Sequence, residues 1–407
     1  MINWFLPLKF NKKERFRVKC KLPHKPLRGG ISRLANTTIF TLLQNFISQE
    51  EIDGILAEFG FEDTARKCNV PTLLNYLVGA TTFEWKSLRY ASDVATEKGL
   101  KSVDYSTLSK RLGELNYLIV KRIFELIVSR LNRAARRKLK LQKELLAIDS
   151  TTITVGKNRL PWALYHGERS GIKLHVSFTN SSGMPLQVVE TTGLKHDGPI
   201  GARLEDKRFI LVADRTYFSI DKADRYATTK QDFVIRLKEN IQLNRKKSLK
   251  GATVEGSNIV ADFTCTLGTA QKQTKERHRV VEFTDYEGAI VRVVTNLRDV
   301  TAEEIAGMYK ERWAIESFFR WIKQNLNVPV LFGTTQNAVF SQLFSALIAY
   351  VLLKFLHTEG HKKKNCKRLS FAGFTRQFLC ATLPIEWRIG LKEILEFHWE
   401  LYQVNTG

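Results

Sequence analysis

Residues 301–326 read TAEEIAGMYKERWAIESFFRWIKQNL, and the reading of this stretch decides how the rest of the chain is arranged. Thr301 followed three residues later by Glu304 forms a capping box, in which each side chain answers a backbone N–H left free at a helix start. From there Ile305, Met308, Ile315, Phe319 and Ile322 recur at spacings of three or four, which predicts one amphipathic helix with an apolar stripe against a core. Beside that stripe, at roughly 100° per residue, Tyr309, Arg312, Glu316 and Lys323 fall within an arc of about 60°. The ordinary alternative is a core helix with a polar margin, but a carboxylate, two cations and a phenol on one face also form a chemically capable set.

Two apolar runs upstream end in aspartate: LLAID at Asp149 and FILVAD at Asp214. Taken singly, each aspartate reads as well as a turn or cap residue. Strand ends in an open α/β sheet are where sites assemble, however, so both aspartates and Glu316 are positioned to meet in one cleft. Three carboxylates repel one another unless a metal lies between them. Mg²⁺ prefers oxygen ligands and keeps positions for water and phosphate oxygens, which makes such a cluster suited to two-metal phosphoryl transfer.

Around these aspartates the sequence alternates like a sheet. ELLAIDSTTITV is a first strand; GIKLHVSFTN and PLQVVETTG form a hairpin across SSGMP; KRFILVADRTY is a fourth strand, SIDKADRYATTK a helix and QDFVIRLKE a fifth strand. With the capped helix at Thr301 this predicts an α/β fold built on a mixed sheet with helices against it, over residues 141–239 and 298–335. Residues 240–297 interrupt that order with Lys246, Lys247 and Lys250, then with β-branched runs in NIVADFTCTL, HRVVEFTDY and AIVRVVTNL. The expectation is an inserted β-rich subdomain beside the cleft and outside the central sheet.

Residues 36–140 carry helical runs punctuated by Ser48 and Ser87 at starts and Gly60 and Gly99 at ends, which predicts an all-helical domain. The helices around Ser87 and Ser106 read either as a helix-turn-helix presenting Ser106, Thr107, Ser109, Lys110 and Arg111 to DNA, or as an ordinary bundle. Arg130, Arg133, Arg136, Arg137, Lys138 and Lys140 add a basic stretch, and residues 1–35 read as a basic arm able to order along phosphates. Residues 336–407 read as a C-terminal helical region. Its apolar run from Ala338 to Phe355 holds Ser341, Gln342, Ser345 and Lys354 and is short for a bilayer, so a buried helix is expected and no membrane partner.

Composition supports a polyanionic partner. The 407 residues include 64 Lys and Arg against 41 Asp and Glu, a formal net charge of +23, and each phosphate such a surface neutralises releases condensed counterions. A hydrophobic content of 43% excludes disorder as the default. Five scattered cysteines without CxxC spacing indicate neither a disulfide framework nor a zinc module and fit a reducing cytoplasm. His166, His175 and His196 have no cysteine companions and read as structural.

Tyr-x2-Arg-x3-Glu-x6-Lys, here Tyr309, Arg312, Glu316 and Lys323, resembles the signature of DDE transposases of insertion sequence family four. IDSTTI around Asp149, GIKLH, the HDG of residues 196–198 and ADRTYFS around Asp214 resemble further blocks of that family, so that the resemblance runs over residues 144–355. That family usually has Gly after the Asp-Arg of the last block, where this chain has Thr216.

The resemblance implies a ribonuclease-H-like catalytic domain in which Asp149, Asp214 and Glu316 hold two Mg²⁺ or Mn²⁺ ions. On the chemistry of their side chains, Tyr309, Arg312 and Lys323 suit DNA phosphate, with Arg312 as a bidentate fork and Lys323 as a mobile point charge. That assignment displaces a role for Tyr309 as a recombinase nucleophile, and Trp313 reads either as a base-stacking or as a packing residue, with packing the expectation. The implied activity is that of an insertion-sequence transposase which cleaves element ends and joins the freed 3′-OH to target DNA. Its partners would be double-stranded DNA, as terminal repeats and target, and a second copy of itself in a synaptic complex, in the cytoplasm at the nucleoid. Two other readings share the fold: a catalytically inactive DNA-binding derivative, and a nuclease without strand transfer.

Overall fold

The computed structural model describes residues 39–136, 143–167, 169–249, 256–326, 330–363, 366 and 368–403; the basic arm expected over 1–35 lies outside them. The described chain opens with α1 (Ile39–Phe46), α2 (Gln49–Glu58), α3 (Val70–Thr82), α4 (Leu88–Val94), α5 (Tyr105–Glu114) and α6 (Tyr117–Arg136). Their starts are chemically marked: Ser48 and Glu51 form a capping box, while Asn69, Ser87 and Asp104 each accept a backbone N–H from the first turn. Between α4 and α5, Gly99 takes the left-handed conformation (φ 79°) that ends the intervening turn. These are the two helices expected around Ser87 and Ser106.

Two of the cations read from sequence as DNA contacts are already engaged. Arg111 pairs with Asp63 at 2.6 Å and donates to the Cys68 carbonyl. Arg130 is held by Glu51 and by the Phe46 carbonyl, so Arg111 ties α5 to the α2–α3 connection and Arg130 ties α6 to α1 and α2. Arg137, Lys138, Lys140 and Lys250, and the side chains of Arg133 and Arg136, lie outside the described residues.

The sheet follows: β1 (Leu145–Gly156), β2 (Arg169–Thr179), β3 (Met184–Thr192), short helix α7 (Asp197–Gly201), β4 (Ile210–Ala213), α8 (Ile220–Thr229), β5 (Phe233–Arg236), β6 (Leu243–Ser248), β7 (Ile259–Leu267), β8 (His278–Thr284) and β9 (Ile290–Thr295). All nine strands belong to one mixed sheet, in the order β3-β2-β1-β4-β5-β9-β8-β7-β6. β4 runs parallel to both β1 and β5, and every other pairing is antiparallel. Alternation along the strands sends Ile148, Leu211 and Ala213 into a core shared with α7 and α8, and sends Ala147, Val212 and Val234 to the opposite face.

The separate β lobe expected over residues 240–297 is not formed. β9 pairs directly with β5, Ile235 opposite Val294 and Arg236 opposite Val293, so this segment continues the central sheet. The reason lies in the burial of β9 on both faces: Val291 and Val293 pack beneath α9 (Ala302–Lys310), and Val294 packs on the other side. Successive valines on both parities are the pattern of an interior strand. Arg292 is accommodated by an ion pair at 2.6 Å with Glu282, its opposite residue on β8.

Residues 301–326 fold as two helices and not as the single one expected: α9 is followed by α10 (Trp313–Asn325). At the junction the backbone tightens, with Arg312, Ala314 and Ile315 each donating to the carbonyl three residues back. The Glu311 carbonyl, which accepts from Ala314, also accepts from Asn180 in the β2–β3 turn at 2.7 Å. The break lets α9 lie over β4 and β5 while α10 turns onto β1.

The chain ends in α11 (Gln336–His361), α12 (Phe371–Leu379) and α13 (Ile385–Gln403). Among the described residues α11 is the one helix long and apolar enough to cross a bilayer, but it is buried, against α3, α6 and α13. Two of its polar residues are satisfied internally: Gln342 joins the Phe332 N–H and the Val330 carbonyl, and Ser345 donates to the Ser341 carbonyl, while the Ser341 hydroxyl is buried without a partner. N- and C-terminal helices therefore share one core around α11.

Candidate active site

The two aspartates lie together because β1 and β4 are adjacent and parallel. Ile148 pairs with Ala213, so Asp149 and Asp214, the next residue of each run, lie side by side; β4 ends at Ala213, whereas β1 does not stop at Asp149 as expected but continues along β2 to Gly156. Glu316 lies in the first turn of α10, which is anchored on the same face through Ile315 and Phe318. Arg312 Nη1 lies 3.4 Å from Asp149 Oδ2, and Arg312 Nη2 lies 2.7 Å from Glu316 Oε1. Tyr309 donates its hydroxyl to Asp214 Oδ1 at 3.5 Å. Arg312 thus joins Asp149 and Glu316, and Tyr309, over whose ring the guanidinium lies at 5.5 Å, brings in Asp214. The sixth residue singled out from sequence, Lys323, is exposed on α10, about two turns beyond Glu316, and among the described residues makes no ion pair or hydrogen bond.

Burial pushes the Asp149 carboxyl up to about 6; the Ser150 N–H at 2.8 Å and Arg312 act against this, while the Glu316 and Asp214 charges reinforce it. Burial opposes the charge of Arg312, yet Tyr309, Glu316 and Asp149 hold its guanidinium above the ordinary value. The Tyr309 hydroxyl is raised, first by burial.

An all-oxygen donor set containing a buried acid with raised proton affinity is chemistry that a hard divalent cation relieves. Among the described residues, no three acidic, histidine or cysteine side chains stand close enough to share one ion as they are. The Arg312 guanidinium reaches both Asp149 and Glu316. The residues fit a divalent cation by donor chemistry, provided that Arg312 releases those two acids.

Several neighbours were not singled out from sequence. Arg236 ends β5 beside Asp214, is half-buried, and carries a charge that acts on Tyr309. The available signal was a charged residue closing the apolar run FVIR, the same signal that marked the aspartates. Next to it a cleft of about 340 Å³ is lined by Arg215, Thr216, Lys238, Glu239 and Asn240. Thr216 occupies a short helical turn, Arg215–Tyr217, without positive φ, so this chain does not need glycine there. Trp313, expected to pack, is 46% exposed. As the first residue of α10 it falls outside the face that the helix break turns toward β1.

A family model described as "Transposase DDE domain" matches residues 140–352, which include all six of these residues. The chain is 48% identical over 367 residues to a probable transposase for insertion sequence element IS5377 of Geobacillus stearothermophilus, covering 90% of this chain and 97% of that relative. It is 26% identical over 303 residues to a putative transposase for insertion sequence element IS4SA of Synechocystis, covering 70% and 81% of the two chains. Among solved structures it is similar to the piggyBac transposase in a cryo-EM synaptic complex with hairpin DNA, at 12% identity and a TM-score of 0.47, with 91% and 86% of the two chains covered. With a match across more than half its length and near end-to-end similarity to an insertion-sequence relative, the chain belongs to the DDE transposases of insertion sequences.

Proposed function

We propose that this transposase binds the ends of its own element, cleaves phosphodiester bonds there and transfers the freed 3′-OH to target DNA, with Asp149, Asp214 and Glu316 as the residues that hold two Mg²⁺ or Mn²⁺ ions. The observation that carries the proposal is the side-by-side placement of Asp149 and Asp214 by parallel strands β1 and β4, facing Glu316 on α10. The strand order β3-β2-β1-β4-β5, with β1, β4 and β5 parallel, supports a ribonuclease-H-like catalytic core. When bound, such ions activate a water or 3′-OH and stabilise the leaving oxygen of an in-line displacement.

The chain's own residues do the remaining work. Arg312, on leaving Asp149 and Glu316, offers a planar fork to a DNA phosphate; Tyr309 holds Asp214, and Lys323 extends the positive face of α10 along the backbone. The helices 39–136 and the basic residues of the arm carry the element end, and two copies acting together hold both ends in a nucleoid-bound synaptic complex.

Incubating the purified protein with its flanking terminal repeats and Mg²⁺, and resolving nicked, hairpin and joined products, tests this reading. Joined products that disappear in Asp149→Ala, Asp214→Ala and Glu316→Ala, with end binding retained, are expected. Nicked products alone would leave a nuclease, and binding without any product a catalytically inactive derivative.

A further inference from the structure

We infer that Asp197 is a positioning residue that holds Ser150, and through Ser150 the carboxylate of Asp149, from the opposite face of the sheet. The inference rests on the assignment of Asp149 as a metal ligand. Asp197 opens α7, packed on the face of β1 that carries Ile148 and Ser150 and not on the Asp149 face. Its Oδ1 accepts the Ser150 hydroxyl at 2.8 Å, and Lys173 Nζ and His175 Nδ1 each stand 3.3 Å from the same oxygen. Ser150 in turn donates its backbone N–H to Asp149 Oδ1 at 2.8 Å. One residue of β1 is therefore held at its side chain by Asp197 while its backbone directs Asp149.

The anchor is itself fixed. Lys173 and His175 come from alternate positions of β2, and the register sets His175 directly opposite Ser150. His175 is fully buried, with Nε2 2.9 Å from Thr191 Oγ1. The Thr191 hydroxyl donates to the Thr192 carbonyl, and the ring of His175 stands between it and Asp197. Lys173 also donates to the Lys195 carbonyl at 3.0 Å. With the Ser150 hydroxyl and the Lys173 ammonium against one oxygen and a strand between it and the other acids, Asp197 acts on Asp149 without joining it as a ligand. Tyr217 closes the space beside them: its ring lies so near Gly201 of α7 that a Cβ there would meet Tyr217 at 2.6 Å.

Residues behind a metal ligand commonly change metal affinity about 10- to 100-fold when altered. The test is Mn²⁺ binding to the full-length protein, read from the electron paramagnetic resonance of free Mn²⁺, with melting temperatures in parallel. Asp149→Ala is expected to remove the tight binding. Asp197→Ala and Ser150→Ala are each expected to weaken it by about 10-fold or more, Ser150→Thr to restore it, and the double variant to be no weaker than either single one, since both break the same link. Ser150→Ala, which deletes only the hydroxyl, decides the matter if Asp197→Ala fails to fold. Wild-type affinity in a folded Ser150→Ala protein, or losses that multiply in the double variant, would overturn the positioning role alone. Wild-type protein with no Asp149-dependent Mn²⁺ binding would overturn the metal assignment on which it rests, and this inference with it.

Discussion

Arg312 and Glu316 are joined across one turn of α10 at 2.7 Å, and the other terminal nitrogen of the same guanidinium reaches Asp149 at 3.4 Å. One monovalent cation therefore spans two of the three acids, and it is half-buried, with its Nε lacking a partner. A divalent cation and Arg312 compete for the same oxygens. Arg312→Ala is expected to tighten Mn²⁺ binding while lowering the stability of the metal-free protein by about 2 kcal/mol, the scale of a charge-assisted hydrogen bond in a part-buried pair. Calorimetric Mn²⁺ titration and urea unfolding in chelator measure the two effects. Weaker Mn²⁺ binding in the variant would show that Arg312 supports the ion instead of standing in for it.

Asp149, pushed up to about 6 from 3.8, keeps its proton in the folded chain where the unfolded chain has released it. Its contribution to stability is thus fully present below about pH 4 and lost as pH rises through about 6, over an upper bound of about 3 kcal/mol. Asp197 works in the other direction and in another window: held down to about 2 by His175, Ser150 and Lys173 against its burial, it contributes stability above its ordinary value that is lost as pH falls toward 2. Asp149→Asn is accordingly expected to flatten the metal-free stability profile between pH 4 and 7 and leave the acid limb below pH 4 unchanged. Urea midpoints across that range check it; a slope that persists in Asp149→Asn assigns the effect to other groups.

What could be read from sequence were features encoded in local periodicity. The capping box at Thr301 and Glu304, the strand ending at Asp214, the β2–β3 hairpin and the buried helix α11 are each specified within a short window, and each is present, whereas β1 does not end at Asp149 but runs on to Gly156. The helix break at Glu311 was not legible because its long-range partner, Asn180 at the Glu311 carbonyl, lies 131 positions away. The attachment of β9 to β5 is equally remote, although Val291, Val293 and Val294 on both parities already carried its signature. Arg312 on the carboxylates escaped for another reason: spacing puts it on the face of Glu316 but does not say whether its charge meets phosphate or acid.

Because β9 is an interior strand, its loss should reach the site. Val293, fully buried and opposite Arg236, is separated from the run ending in Asp214 by β5 alone. Val293→Ala is expected to cost about 2 kcal/mol and to shift a single cooperative unfolding transition. Scanning calorimetry decides: a second, independent transition belonging to residues 240–297 would restore the separate lobe.

Lys323 offers the cleanest separation between binding phosphate and holding the fold, because it is exposed and has no ion-pair or hydrogen-bond partner among the described residues. Removing an unpaired surface ammonium should leave the melting temperature almost unchanged, since no buried partner is stranded. If it contacts the backbone of the element end, Lys323→Ala reduces the magnitude of the salt slope of end binding by about one unit, and does so without altering which sequence is preferred. Arg312→Lys provides the contrast: a point charge cannot replace a planar fork, and because Arg312 also pairs with Glu316 and Asp149, both the slope and the melting temperature are expected to move. End-binding affinity measured across a salt series for the two variants, beside their melting curves, separates the roles. An unchanged slope in Lys323→Ala removes that residue from the DNA contact, whatever Arg312→Lys does.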